Sequence, residues 1–180
     1  YHAGGNKIED IASWAGLSWT LNTIPSISRS IRSLPDEGPG GFFYDYLGST
    51  VEENFAGTGQ ISQLNFFRAI VEGKADTEPD VFSFSLLSRS GKFYCDQQTD
   101  SFYTIPRSNI RISFDEIGKT FELTDEDGTQ YLFTVKETSN TNGSTSITSW
   151  MSSRIYDANR TDSLVFTYQP DNYSIYNLNS

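Results

Sequence analysis

The stretch KIEDIASWAGLSWTLNTIPSISRSIRSLPDE, from Lys7 to Glu37, gives the first indication of the fold. It contains two of the three tryptophans, Trp14 and Trp19, among alternating small and large residues. Such alternation is typical of a strand that is buried on one face and partly on the other. Pro25 has no backbone N–H and interrupts the ladder, and Ser26 to Ile31 is predicted to form a second strand.

The tryptophans are interpreted as core residues, because large aromatic side chains dominate core burial. A sugar-stacking platform is the alternative interpretation of the same pair. Later apolar positions complete the predicted core, which comprises Trp14, Leu17, Trp19, Leu21, Ile27, Leu64, Ile70 and Trp150. We expect the tryptophan block and the helix described next to contribute to one core.

One amphipathic helix is predicted, from Gln60 to Glu72. Apolar residues recur in it at spacings of three and four, and Gly73 follows at the position of a C-terminal cap. The predicted apolar face includes Ile61, Leu64 and Ile70.

From Asp80 onward the hydrophobic period changes to two, which predicts a series of short strands. Asp125 to Gly128 is predicted to be a hairpin turn in which Gly128 supplies a positive φ. The Ser/Thr/Asn/Gly tract 139–146 is predicted to be a mobile loop. The predicted strands are 81–86, 92–95, 101–105, 110–114, 120–124, 130–136, 147–156 and 163–168.

These patterns define the predicted fold class. It is mainly β, with antiparallel, sandwich-like sheets and one amphipathic helix near residues 60–72. At 180 residues, the chain has the size of a single domain with a sizeable core. We therefore expect one β-rich domain over 1–180.

The charge and hydropathy of the sequence limit the classes of partner that the protein is expected to bind. The formal net charge is -10, from 23 acidic and 13 basic residues, whereas nucleic-acid binding requires a basic surface. An acidic surface also disfavours anionic lipid, and no apolar run approaches the roughly 20 residues of a membrane-spanning helix. We expect neither a nucleic-acid partner nor membrane insertion. The single cysteine, Cys95, allows no internal disulfide and is interpreted as a small buried hydrophobe.

No catalytic motif accompanies these elements. His2 is the only histidine, and no nucleophile elbow, HExxH helix or phosphate loop occurs. A glycosidase pair depends on carboxylate separation, which the sequence does not reveal. Adjacent acidic residues at loop ends are typically solvated, and the Asp125 turn lacks the ligand spacing of a calcium loop. The prediction is therefore no catalytic residue, no metal ligand and no cofactor. The carboxylates considered are Glu9, Asp10, Glu52, Glu53, Asp115, Glu116, Asp125 and Asp127.

An aromatic patch follows the glycine-rich loop, in the order Phe42-Phe43-Tyr44-Asp45-Tyr46. Clustered aromatic rings usually bury one another, which predicts a short strand or a packed loop. The alternative is a ligand-stacking surface formed by Phe42, Tyr44 and Tyr46.

Several segments resemble one protein family in their order along the chain. The first segment is Tyr1-His2-Ala3-Gly4-Gly5, followed by KIEDIASWAGLSWTLN and SISRSIRSLPDE. The later segments are GKFYCD (91–96), FELTDEDGTQYLF (121–133), ITSW and SLVFTY (163–168). Together they resemble the region that precedes the repeats in Bacteroidetes Rhs/YD-repeat proteins. GLSWTLN with PSISR is more distantly similar to the SpvB-type segment of toxin-complex B components. Ser18 and Thr23-Ile24-Pro25 stand where that family usually has glycines, so the chain departs from the family pattern at these turns.

The resemblance implies a non-enzymatic structural module of a secreted or cell-surface, polymorphic-toxin-like protein on the extracellular side of a Gram-negative bacterium. In that family the sheets continue into a shell around a C-terminal polypeptide, so the resemblance implies an open shell fragment as the alternative to a sandwich. It also implies that the chief partner is the remainder of the parent chain. We expect a fragment truncated at both ends, with unpaired strand edges. The alternatives are an adhesion or carbohydrate-binding module that contacts a glycan or host surface, and a carboxylate-based glycoside hydrolase.

Overall fold

The computed structural model describes residues 24–43, 50–57, 60–141 and 144–170. Within these ranges the chain is mainly β and antiparallel, as predicted, and it contains two helices rather than one. In chain order the elements are β1 (Ser26–Ser30), α1 (Val51–Ala56), α2 (Gln60–Val71), β2 (Val81–Ser85), β3 (Ser90–Asp96), β4 (Ser101–Ile105), β5 (Arg111–Asp115), β6 (Thr120–Thr124), β7 (Gln130–Thr141), β8 (Ser144–Tyr156) and β9 (Ser163–Val165).

All strands belong to one sheet with the order β4-β3-β2-β1-β8-β7-β6-β5. β9 lies off this path and pairs with Arg154–Tyr156 of β8, beside the Ser149–Met151 segment that pairs with β1. The two end strands, β4 and β5, are consecutive in the chain and contact each other. The sheet therefore curls until it is nearly closed, with a gap between β4 and β5.

The β7–β8 hairpin corrects one prediction. Residues 139–146 were predicted to be a mobile loop, but β7 continues to Thr141 and β8 begins at Ser144. Asn140 pairs with Thr145, and the Asn140 amide donates a hydrogen bond of 3.0 Å to the Thr145 hydroxyl. The tract reads as a loop by composition, yet cross-strand pairs of small polar side chains support a strand there.

The end of this hairpin extends beyond the neighbouring strands. β6 pairs with β7 only over Gln130 to Phe133, and β1 pairs with β8 only over Ser149 to Met151. Thr138–Thr141 and Ser144–Ile147 pair with each other and, among the described residues, with no third strand. We call this two-stranded extension the polar arm.

The hairpin turn between β6 and β7 is confirmed. The Asp125 amide donates to the Thr129 carbonyl at 2.8 Å, and Gly128 has a φ of 89°. Glycine is the residue that adopts this conformation without steric cost.

Aromatic rings fill the interior of the curled sheet. The Phe121 ring centroid lies 4.7 to 5.8 Å from those of five other rings, which belong to Phe82, Phe93, Phe102, Phe114 and Trp150. These rings come from strands on both sides of the sheet order, so their contacts connect its two halves. Burial of this kind is the main source of stability for a domain of this size.

The predicted core is correct in part. Ile27 and Trp150 are fully buried in the aromatic interior, and Cys95 is buried as expected. Ile70 is half-buried and packs against a separate small cluster of Phe66, Ala69 and Ala75. The remaining predicted core residues Trp14, Leu17, Trp19 and Leu21 lie outside the described residues.

Leu64 was predicted to be buried and is instead 63% exposed. α2 buries the face that carries Phe66 and Ala69, whereas Leu64, Phe67 and Val71 point to solvent. Apolar residues occur around most of this helix, so their spacing did not identify the buried face. The end of the helix is as predicted, because Gly73 has a φ of 66° and the Lys74 amide donates to the Ala69 carbonyl at 2.7 Å.

The shorter helix, α1, was missed by the sequence prediction. Thr50 is its N-cap, and the Thr50 hydroxyl and the Glu53 carboxylate form a reciprocal capping box. The Thr-x-x-Glu signal was present in the sequence. One helical turn and a half is too short for hydrophobic periodicity to reveal it.

Replacing Phe121 by alanine tests the role of the aromatic interior. We expect Phe121→Ala to lower the free energy of unfolding by about 3–5 kcal/mol, since it removes a buried ring and leaves a cavity. Urea unfolding followed by circular dichroism measures this loss. Ile117→Ala is the matched control, because Ile117 is 97% exposed and its truncation should change stability by less than about 0.5 kcal/mol. A Phe121→Ala loss no larger than that of the control would contradict the assigned role.

Candidate functional site

The predicted stacking aromatics are only partly within the described ranges. Phe42 is half-buried and lines a cleft of about 290 Å³, together with Phe55, Glu52, Asp96 and residues of the neighbouring turns. Tyr44 and Tyr46 lie outside the described residues. The cleft is small, partly aromatic and bordered by carboxylate and amide groups.

The walls of this cleft are held together by hydrogen bonds. The Val51 amide at the start of α1 donates to the Gln97 side chain at 2.8 Å, and the Gln98 amide group donates to the Glu52 carboxylate. Both contacts join α1 to the turn between β3 and β4. Helix α1 is thereby fixed on the sheet next to Phe42.

Four of the carboxylates considered for catalysis are bonded to nearby turn and helix residues. Glu53 caps α1, Asp115 accepts from the amides of its own turn at 3.0 and 3.1 Å, and Asp127 accepts from the Thr129 amide at 2.9 Å. Asp125 accepts hydrogen bonds from the Ser88 hydroxyl and the Glu126 amide and pairs with Arg89. Glu9 and Asp10 lie outside the described residues. Capping and turn stabilisation therefore account for Glu53, Asp115, Asp125 and Asp127.

A different group of carboxylates is buried, and the sequence prediction missed it. Asp36, Asp76 and Asp80 are 0%, 4% and 0% exposed, and the side chain of Arg29 is fully buried beside them. Asp36 and Asp80 follow prolines in Pro35-Asp36 and Pro79-Asp80, a context that also fits an exposed turn. Aspartate is almost never fully buried unless it has partners, so these residues have a specific structural role.

Asp36 and Asp80 bind each other's backbone, and we call them the aspartate pair. The Asp80 amide donates to the Asp36 carboxyl oxygens at 3.0 and 3.1 Å, and the Asp36 amide donates to Asp80 Oδ2 at 3.2 Å. Asp80 Oδ1 also accepts from the Arg32 amide at 2.6 Å. The pair therefore joins the chain after β1 to the chain before β2.

Asp76 adds a second connection between the same two segments. Its carboxylate accepts from the amides of Leu34, Thr77 and Glu78 at 2.7 to 3.1 Å. Its own amide donates to the Gly40 carbonyl at 2.8 Å. Residues 31–43, which we call the crossing segment, are thus held mainly by aspartate side chains.

Arg29 is the buried cation of this cluster. Its guanidinium pairs with the Glu37 carboxylate, lies 3.7 Å from Asp80 Oδ2 and donates to the Ile147 carbonyl. It also lies over the Trp150 ring at 5.3 Å from the centroid. A buried ion pair is maintained only when its hydrogen bonds are largely satisfied, and here the sheet, the core and the crossing segment all contribute partners.

Burial and mutual repulsion change the titration of the pair. Desolvation, and then the charge of Asp80, raise the pKa of Asp36 from 3.8 to about 8. Desolvation raises the pKa of Asp80 to about 6, although hydrogen bonds from Arg32 and Asp36 and the charge of Arg29 oppose it. Near neutral pH, Asp36 is therefore predominantly protonated while Asp80 is ionised.

The crossing segment ends in the gap of the curled sheet. The Phe43 ring lies 5.8 Å from Phe102 on β4 and 5.2 Å from Phe114 on β5, measured between centroids. It also stacks on Phe82 at 6.3 Å. Phe43 therefore bridges the two end strands, and the Phe43 amide donates to the Asp36 carbonyl at 3.0 Å.

Cys95 lies on β3 and is 4% exposed. Desolvation, followed by the charge of Asp36, raises the pKa of its thiol to about 12. The thiol is therefore protonated and unreactive at neutral pH, which agrees with its interpretation as a small buried hydrophobe.

Comparison with protein-family models, with curated proteins and with solved structures finds no match to this chain. In the described ranges, neither helix has the length and hydropathy that a bilayer crossing requires. Among these same residues, no three His, Cys, Asp or Glu side chains are grouped in a way that could hold a metal ion.

The raised pKa values of the aspartate pair predict how the stability of the fold depends on pH. Both folded-state pKa values lie above 3.8, so between about pH 4 and pH 8 the folded state binds more protons than the unfolded chain. The free energy of unfolding should therefore fall as the pH rises through that window, as measured by urea unfolding at pH 5, 7 and 9.

Asp36→Asn removes the ionisation that contributes most to this pH dependence. Between pH 7 and 9 the unfolding free energy of this variant should therefore fall much less than that of the wild type. Asp127→Asn is the control, because Asp127 is exposed and its pKa is lowered by hydrogen bonds from Thr129. This control should retain the wild-type decline. Equal declines in wild type and Asp36→Asn would show that Asp36 is not the responsible group.

Proposed function

We propose that the chain is a non-enzymatic structural module of a secreted or cell-surface Rhs/YD-repeat protein. Its antiparallel sheet then contributes to a β-shell that the rest of the same chain forms. The observation that carries the proposal is the strand order, which leaves the outer edges of β4 and β5 without a paired strand among the described residues. Such edges present backbone N–H and C=O groups that pair readily with further strands.

Exposed apolar side chains on β4 and β9 support the same proposal. Tyr103 and Ile105 on β4 are 36% and 51% exposed, and Leu164 and Val165 on β9 are each about 60% exposed. Contact with the remainder of the parent chain buries such groups. Aromatic side chains fill the interior of this module and leave no room there for an enclosed polypeptide. In this proposal, other parts of the parent protein therefore form the shell around that polypeptide.

The structural-module proposal is tested on a longer chain that includes the flanking sequence. Sequencing the gene on both sides of codons 1–180 identifies the flanking protein, which we expect to contain Tyr-Asp repeats downstream. Expression of this longer chain should increase the hydrogen-exchange protection of β4 and β5 amides, while the central amides of β7 and β8 serve as an internal reference. Flanking sequence without repeats, or unchanged protection at both edges, would contradict the proposal.

A carbohydrate-binding module is the second candidate, and the cleft beside Phe42 favours it. Phe55 is 52% exposed at this cleft and offers a ring face, while Glu52 and Asp96 offer hydrogen-bond acceptors. A volume of about 290 Å³ suits one sugar ring rather than a long oligosaccharide.

Glycan-array binding tests this second candidate. We expect Phe55→Ala to abolish binding to any glycan that the wild type retains, since it removes the exposed ring of the cleft. Leu87→Ala is the matched control, because Leu87 is 53% exposed and lies on the β2–β3 turn, outside the cleft lining. Absence of wild-type binding, or equal loss in both variants, would reject the cleft as a glycan site.

A further inference from the structure

We propose that the aspartate pair is a pH-dependent lock on the crossing segment, and that ionisation of both carboxyl groups releases Phe43 from the gap between β4 and β5. The proposal does not depend on the proposed function, since it concerns only contacts within this domain.

Several hydrogen bonds that hold the crossing segment depend on the aspartate pair. Asp36 and Asp80 exchange backbone hydrogen bonds, Asp80 also holds the Arg32 amide, and the Phe43 amide binds the Asp36 carbonyl. Displacement of Asp36 breaks the contacts on both sides of it. The position of Phe43 is therefore coupled to the position of Asp36.

The charges around Asp36 are mainly negative. The titratable and charged groups that face it are Arg29 on β1, Glu37 beside it in the crossing segment, Asp76 and Asp80 before β2, and Cys95 on β3. Lys119, before β6, donates to the Glu37 carbonyl at 3.1 Å. Arg29 already pairs with Glu37 and lies near Asp80, so its positive charge offsets a charge on Asp36 less than desolvation and the charge of Asp80 oppose it.

A negative charge on Asp36 is accommodated when the crossing segment opens. An uncompensated charge in a buried site is costly, and it is relieved when water reaches the carboxylate. Residues 31–43 carry no helix or strand, so their opening breaks none of the hydrogen bonds of the sheet. Local opening of such a segment requires less free energy than global unfolding.

The crossing segment has the geometry to move as a unit. Ser33 and Gly40 have φ values of 73° and 76°, and they lie on either side of a compact turn. Directly after Gly40, a Cβ on Gly41 would lie 2.2 Å from the Pro35 carbonyl oxygen, so the backbone on the two sides of the turn is closely packed. We therefore expect residues 35–41 to move together and to draw Phe43 with them.

Hydrogen–deuterium exchange at single-residue resolution tests the lock on the whole chain. The readout is the protection factor, which corrects for the intrinsic pH dependence of exchange, at the amides of Asp36, Phe43 and Asp80. Between pH 6 and pH 9 we expect these protection factors to fall about tenfold or more, relative to amides in the centre of the β7–β8 pair. Tenfold corresponds to one pKa unit of differential stabilisation.

Asp36→Asn should show less than about a twofold fall, because it is neutral at both pH values and can still accept from the Asp80 amide. Asp157→Asn, at an exposed turn outside the cluster, should retain the wild-type fall. If Asp36→Asn does not fold, Asp80→Asn provides the second variant, since it also prevents double ionisation. Equal protection at pH 6 and pH 9 in the wild type, or the same fall in a folded Asn variant, would overturn the proposal.

Discussion

The structure depends on the packing of Trp150 against Phe121 and Phe82, with ring centroids 5.0 and 5.9 Å away. Trp150 lies on β8, at the centre of the strand order, and its indole N–H donates to the Lys119 carbonyl at 2.8 Å. These contacts bring the β1–β4 half of the sheet against the β5–β7 half. The curl of the sheet, the gap between its end strands and the position of Phe43 all follow from this packing.

Arg29 connects the charged cluster to the aromatic interior. Its guanidinium contacts the Trp150 ring on one side and the carboxylates of Glu37 and Asp80 on the other. The charged cluster is therefore buried and in direct contact with the aromatic interior. This arrangement makes the position of the crossing segment sensitive to the protonation of the aspartates, although the sheet itself is stabilised by apolar burial.

The fold was predictable to the extent that local periodicity determines it. β4 and β6 have the predicted bounds, and the glycines of the Asp125 turn and of the α2 C-terminus have the predicted conformations, because each depends on nearby residues. The buried face of α2 was predicted wrongly because it depends on partners distant in sequence. The aspartate cluster was missed for the same reason, since Asp36 and Asp80 acquire a role only when the chain brings them together. The cleft beside Phe42 likewise requires α1 and the β3–β4 turn to meet.

The polar arm has a consequence for engineering. Apart from Ile147 at its base, its side chains are small and polar, and among the described residues its strands pair with no third strand. Lengthening a connection at the tip of such an extension costs only the slowly growing entropy of a longer loop. The arm is therefore a natural position for inserting an affinity tag or a fluorophore-binding peptide, at a distance from the aromatic interior.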